Sequence, residues 1–220
     1  MSRVKLSDVC EIVNGATPKR SNPEYWDGDI KWITPAELSS DVMYVDDTKN
    51  KITEAGFNSV SLRLMPAGTV LLSSRAPIGK VAIIAEPMCC NQGFKNFICT
   101  DKICNRYLYR FLQSHTEQLQ AMGHGATFKE ISKSSIGGFE ISLPSIQQQM
   151  KVADHFDALD GQKNLYRNQI QILNELVKSR FIEMFGDLEK NPNNWPVRHF
   201  SDFAVIDTHM TNDFEKIASL

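Results

Sequence analysis

The sequence predicts an α+β fold: a β-rich domain with short helices, followed by one long helix able to form a coiled coil. Three observations carry this expectation. Up to about residue 100, short apolar runs alternate with Pro, Gly and Asn turns, as strands and their connections require. Over 105–121 the apolar spacing switches to that of a helix face. From Ile146 to about Phe185 no proline occurs, and apolar residues recur at heptad spacing.

Strands are expected at 29–33, 69–73, 80–84 and 96–99, punctuated by Asn22-Pro23, Asp27-Gly28, Pro66-Ala67-Gly68, Pro77-Ile78-Gly79 and Gln92-Gly93. Their spacing suits a curled β-rich sheet. Leu108, Phe111, Leu112, His115, Leu119 and Met122 share one face, which predicts a single amphipathic helix ended by Gly123. A second short helix is expected from near Phe128 to Gly137-Gly138. Residues 139–143 then alternate as a strand, and Pro144 ends it.

Ser145-Ile146-Gln147-Gln148 is a capping box and opens the long helix. Leu159, Tyr166 and Leu173 recur every seven residues, as do Ile170, Val177 and Met184, making an a/d stripe interrupted by Lys163. Forty residues of helix would reach about 60 Å at 1.5 Å per residue. Gly161 is a place for a kink, so two helices in series stay open. Polar residues 189–194 read as a linker. Beyond it, residues 200–206 repeat residues 6–12 without a gap, with Ser, Asp and Ile identical. The expected organisation is a domain over 1–144, a helical spacer over 145–186, and a linker with the start of a second copy over 187–220.

Composition narrows the function classes. A net charge of −2 argues against a binder that works by bulk charge. Residues 1–144 hold 16 Lys+Arg against 15 Asp+Glu, so any nucleic-acid surface there must be a local patch. The apolar runs are too short to span a bilayer, and Met-Ser-Arg-Val-Lys is no signal peptide, which together predict a cytoplasmic location. Five cysteines lack CxxC spacing and five histidines lack a ligand pattern. Reduced, mostly buried thiols are expected, with no metal and no cofactor.

Motifs that suggest catalysis fail on inspection. Asn22-Pro23-Glu24-Tyr25 lacks the second proline of a base-flipping loop and reads as an Asn-Pro turn. Gly123-His124-Gly125 follows a helix, where a dinucleotide fingerprint demands a strand, and Gly79-Lys80 lacks the upstream glycine of a P-loop. Four loops remain, 15–20, 73–80, 91–95 and 125–129, each pairing glycine or another small residue with donor side chains suited to phosphates and base edges.

An ordered set of phrases closely resembles the specificity subunit of type I restriction-modification systems. The phrases are Gly15-Ala16-Thr17-Pro18, the run from Tyr25 to Pro35, the run from Gly68 to Gly79, Asn91-Gln92-Gly93-Phe94, the run from Gly125 to Ile131, and Leu143-Pro144-Ser145-Ile146-Gln147-Gln148-Gln149. The resemblance implies a target recognition domain over 1–144 and a conserved helix packed antiparallel to its counterpart as a spacer. It implies addressing without catalysis: double-stranded DNA is read in two halves, and modification subunits that methylate adenine and restriction subunits that cleave are recruited. Gln148 stands where the family's motif usually has Glu. The second domain stops at Leu220, so the expectation is a truncated chain or a natural half-length subunit.

Half-sites read from one side of a duplex lie about a helical turn apart, roughly 34 Å, and a long coiled coil can fix such a distance. A homodimer through Leu159, Tyr166, Ile170, Leu173 and Val177 is therefore expected. The candidate DNA contacts are Thr17, Lys19, Arg20, Ser74, Arg75, Lys80, Asn91, Gln92, Lys95, Thr127 and Lys129, with Arg75 and Gln92 best suited to base edges. The competing classes are the recognition fragment of a fused restriction enzyme, and a coiled-coil adaptor without DNA contacts.

Overall fold

A computed structural model describes residues 2–39, 42–75, 77–125, 129–199 and 202. The chain runs β1 (Ser2–Lys5), α1 (Leu6–Val9), β2 (Cys10–Asn14), β3 (Trp26–Ile33), β4 (Tyr44–Val45), β5 (Asn50–Ile52) and α2 (Glu54–Asn58). It continues through β6 (Val70–Ser73), β7 (Val81–Ile84), β8 (Cys89–Cys90), β9 (Phe94–Cys99), α3 (Asn105–Ser114) and α4 (Thr116–Ala121). The last elements are α5 (Lys133–Gly137), β10 (Glu140–Leu143) and α6 (Ile146–Phe185). This is the expected α+β arrangement of a β-rich domain, short helices and one long helix.

A five-stranded mixed sheet in the order β2-β9-β6-β7-β4 forms the centre. All of β6 and β7 is buried, which explains their unbroken apolar runs, since both faces of this sheet are covered. On one face Val70, Leu72, Ile83 and Phe97 pack with Leu108, Leu112 and Leu119 of α3 and α4 and with Ile136 of α5. On the other, Leu71, Ile84 and Phe94 pack with Ile33, Met65 and Met88. A smaller sheet, β5-β3-β8, buries Trp32 against Ile52 and Cys89. The terminal strands of the domain pair antiparallel, Ser2 opposite Leu143, so β1 and β10 close it.

Two helix expectations change. The helix over 105–121 is two: it breaks at His115, whose φ of −108° and ψ of 22° leave the helical region while its Nδ1 hydrogen-bonds the Phe111 carbonyl at 2.8 Å. The next short helix begins at Lys133, capped by Ser132 Oγ accepting from Ser135 N at 3.0 Å, later than the expected start near Phe128. The long helix is continuous through Gly161, with no second helix in series. Its expected capping box is present, Ser145 N donating to Gln148 Oε1 and Gln148 N to Ser145 Oγ.

The first compact unit extends to Gly161, past the expected limit at residue 144. The reason is local packing: Gln149 and Ala153 in the first turns of α6 are fully buried. In the second unit, Gly186 ends the helix with φ of 82°, and Trp195 returns to Phe185, donating its indole N–H to the Phe185 carbonyl at 2.8 Å. The expected polar linker therefore begins as a structured turn. The repeat of residues 6–12 lies outside the described residues apart from Asp202. The thiols are free, with Cys10, Cys89 and Cys90 buried, and burial pushes Cys89 and Cys90 up to about 12.

Candidate nucleic-acid interface

The strands β2 and β6 end, and β9 and β7 begin, at one edge of the central sheet, because neighbours in the order β2-β9-β6-β7 are antiparallel. The loops after β2, after β6 and before β9 must therefore emerge together. Hydrogen bonds join them in series. Ala16 N donates to the Cys90 carbonyl at 3.0 Å, and Thr17 Oγ1 bonds Gln92 Oε1. Ser74 donates from both its backbone N and its Oγ to the Gly93 carbonyl, at 2.7 and 3.1 Å. Gly15 makes the first of these approaches possible, since any side chain there would run into the Asn91 and Cys90 carbonyls.

Glu130, which follows the fourth loop in sequence, is tied to the other three. Its carboxylate accepts from Arg75 Nε at 2.9 Å and from Lys95 Nζ at 3.0 Å, while Ile131 N donates to the Ser74 carbonyl. Burial would raise the Glu130 carboxyl, but its hydrogen bonds from Lys95 and Arg75 win and hold it below its ordinary value of 4.5. The loops after β2, after β6 and before β9 thus form one connected face, with Glu130 and Ile131 tied to it.

The candidate contacts divide on this face. Lys19, Arg20, Arg75, Gln92 and Lys129 are exposed, and Thr17 and Asn91 are half-buried. Ser74 and Lys95 are corrected: at 0% and 4% exposure, their polar groups are committed inside, to Gly93 and to Glu130. Lys80 is corrected too, since its Nζ donates to the Leu38 and Pro35 carbonyls at 2.8 and 3.3 Å. Asn91 spends its Oδ1 on Gly93 N, shaping the turn. Thr127 lies outside the described residues. Asn22 caps the 3-10 turn at Pro23–Tyr25 through its Oδ1, as an Asn-Pro turn should.

Three residues absent from the candidate set help to build the face. Arg20 stacks over both Trp26 and Trp32, with its guanidinium carbon 5.4 and 5.7 Å from the ring centroids. The rings meet edge to face at 5.1 Å. β3 shifts register between Trp26 and Ile30, which both pair with Ile52, and this irregularity brings together two rings that plain strand alternation would hold far apart. Glu130 is the third, and nothing in its local sequence announces its role. Among the described residues no group of three or more His, Cys, Asp or Glu could hold a metal, and no helix is long and apolar enough to cross a membrane.

Fold and face together define the class: a β-rich α+β domain with connected loops at one end of its central sheet, followed by one long helix. The family model for the type I restriction modification DNA specificity domain matches residues 1–176, and the chain belongs to that family. It is 35% identical over 222 residues to the type I restriction enzyme MjaIX specificity subunit of Methanocaldococcus jannaschii, covering 93% of this chain and 51% of that protein. It is 28% identical over 166 residues to the EcoR124I/EcoR124II specificity subunit of Escherichia coli, covering 72% and 41%. The chain thus spans about half the length of these relatives or less.

Solved structures share the fold. A chain from a type I restriction-modification system matches with a TM-score of 0.66 at 22% identity, over 80% of this chain and 43% of that one. The HsdS subunit of Thermoanaerobacter tengcongensis matches at 0.61 and 21%, over 76% and 39%.

Proposed function

We propose that this chain addresses a type I restriction-modification complex to DNA, its β-rich domain reading one half of a bipartite duplex target while partner subunits methylate and cleave. What supports the reading is the convergence of three donor loops, after β2, after β6 and before β9, at one end of the central sheet with Glu130 tied to them, in a chain of the DNA specificity family. Lys19, Arg20 and Lys129 bind phosphates, and Gln92 faces a base edge. Arg75 spends its Nε on Glu130, and its two terminal amino groups, without a partner among the described residues, address a guanine. Mapping methylated adenines in cells that carry the chain with a modification subunit tests this. The expected result is one bipartite motif that vanishes when the chain is deleted; a motif indifferent to the deletion overturns it.

The spacer works by pairing with a second copy. Leu159, Tyr166, Ile170, Leu173 and Val177 are 58% to 69% exposed, a stripe at coiled-coil spacing that a second helix would cover. Sedimentation is expected to give a dimer that Ile170→Glu and Leu173→Glu convert to monomer. A monomeric parent chain at high micromolar concentration, or a dimer untouched by both substitutions, refutes the pairing.

A further inference from the structure

The root of α6 is held far more firmly than any other part of it. Arg106 and Arg110 lie one turn apart on α3, and Asp154, Asp157 and Asp160 lie at three-residue steps on α6. The groups interlock: Arg106 Nη2 to Asp154 at 2.8 Å, Arg106 Nη1 to Asp157 at 2.7 Å, Arg110 Nη2 to Asp157 at 2.6 Å, and Arg110 Nη1 to Asp160 at 2.6 Å. Arg110 is sunk in this joint, its side chain 9% exposed and its guanidinium over the rings of Tyr109 and Phe156.

One further anchor sits a turn earlier. The buried Gln149 donates to the Lys102 and Pro144 carbonyls at 3.0 and 2.9 Å and accepts from Cys104 N at 2.8 Å. Every hydrogen-bonding site of that amide except one lone pair is thus used on the segments entering α3 and α6. The clamp ends at Asp160. From Gly161 to Phe185 every residue of α6 is exposed.

A helix needs no such joint merely to be helical, because its backbone bonds are internal. Two rungs of two-pronged ion pairs fix a direction. That matters for a lever: the 25 residues from Gly161 to Phe185 make an arm of about 37 Å at 1.5 Å per residue. A swing of about 10° at its root would move its tip by about 6 Å, nearly two steps of 3.4 Å along DNA.

We propose that Arg106, Arg110, Asp154, Asp157 and Asp160 are positioning residues that fix the angle between the recognition domain and α6, and so set the spacing of the two DNA half-sites this complex accepts. The inference rests on the two-part reading of DNA proposed above. Asp157 is its centre, because both arginines share it. A joint that only stabilises the fold would weaken binding to all spacings alike, whereas an orienting joint decides which spacing lets both readers engage at once.

The test uses the full chain with its modification subunit and random duplex DNA, from which bound sequences are selected. The parent complex is expected to return two half-sites at one spacing, disfavouring spacers one or two base pairs longer or shorter by about tenfold or more, as loss of simultaneous engagement requires. Asp157→Ala is expected to return the same half-sites with spacing discrimination reduced to about threefold or less, and Asp157→Glu to restore it. Asp160→Asn, which removes one of Arg110's two partners, gives an intermediate result and guards against misfolding of the alanine variant. Half-sites and spacing equally sharp in Asp157→Ala, with only overall affinity or melting temperature lowered, overturn the clamp but leave the parent reading standing. No selected sequence with the parent complex overturns the two-part reading, and the clamp with it.

Discussion

Lys95 and Lys129 each follow a phenylalanine in a glycine-bearing loop, in the phrases Gln-Gly-Phe-Lys and Ala-Thr-Phe-Lys, yet they have opposite fates. Lys95 is the second residue of β9, set in the ladder opposite Leu72 and Asn14, so its side chain is drawn into the sheet edge and meets Glu130. Lys129 precedes Glu130 in the loop itself and stays in solvent. A cation near a glycine is therefore no indication of a DNA contact. What decides is whether the fold supplies a carboxylate or carbonyl first, as it does for Lys95 and Lys80 and, among the described residues, not for Lys129.

The largest effect should come from the inward member. Lys95→Met removes a buried cation from Glu130 and is expected to cost about 2–3 kcal/mol in urea unfolding, below the usual 3–5 for a broken buried pair because Glu130 is one-third exposed and keeps Arg75. Lys129→Ala should lie within about 0.5 kcal/mol of the parent chain. Equal stability losses from both would break the contrast. Acid sharpens it. A carboxyl whose folded value is depressed contributes stability above its unfolded value, lost as pH falls through the folded one. Glu130 should thus give stability at neutral pH that fades only below its ordinary 4.5, and a Glu130→Gln variant should lose that part of the acid dependence.

Next come effects on DNA. Arg75→Ala is expected to relax preference at one base pair by about 1–3 kcal/mol, whereas Lys129→Ala and Lys19→Ala should weaken all sequences alike and each reduce the salt slope by about one. Selection experiments at two salt concentrations separate these outcomes. If Arg75→Ala lowers affinity without changing the preferred sequence, Glu130 serves only to neutralise it and not to aim it.

The sequence exposes what local chemistry decides. β6, β7, β9 and β10 lie within two residues of their expected bounds because short apolar runs and flanking turns are local signals, and the span of α6 follows from its capping box, its lack of proline and Gly186. The strands β1, β2, β4, β5 and β8 were not foreseen, since they are short and exist through distant partners, as when Ser2 meets Leu143. The site divides the same way. Glycines and donors single out the loops after β2, after β6 and before β9, which the sheet brings together, but which donors face outward depends on Glu130, 35 residues from Lys95 and 55 from Arg75. The break at His115 likewise needs a side chain bonding back to Phe111.

The smallest expected effect concerns Arg20, a third kind of cation, neither paired inside nor free in solvent but laid over Trp26 and Trp32. Stacking of this kind at an exposed site contributes about 0.5–1 kcal/mol. It also removes rotamer freedom from a long side chain before any ligand arrives, and that ordering would otherwise be charged against binding. Arg20→Lys keeps the charge but loses the planar group that matches two indole faces. It should therefore leave the salt slope unchanged while reducing affinity by about 0.5–1 kcal/mol, and Trp26→Leu should reproduce that loss without adding to it in the double variant. Additive losses in the double variant would mean that Arg20 gains nothing from the tryptophans and binds as freely as Lys129.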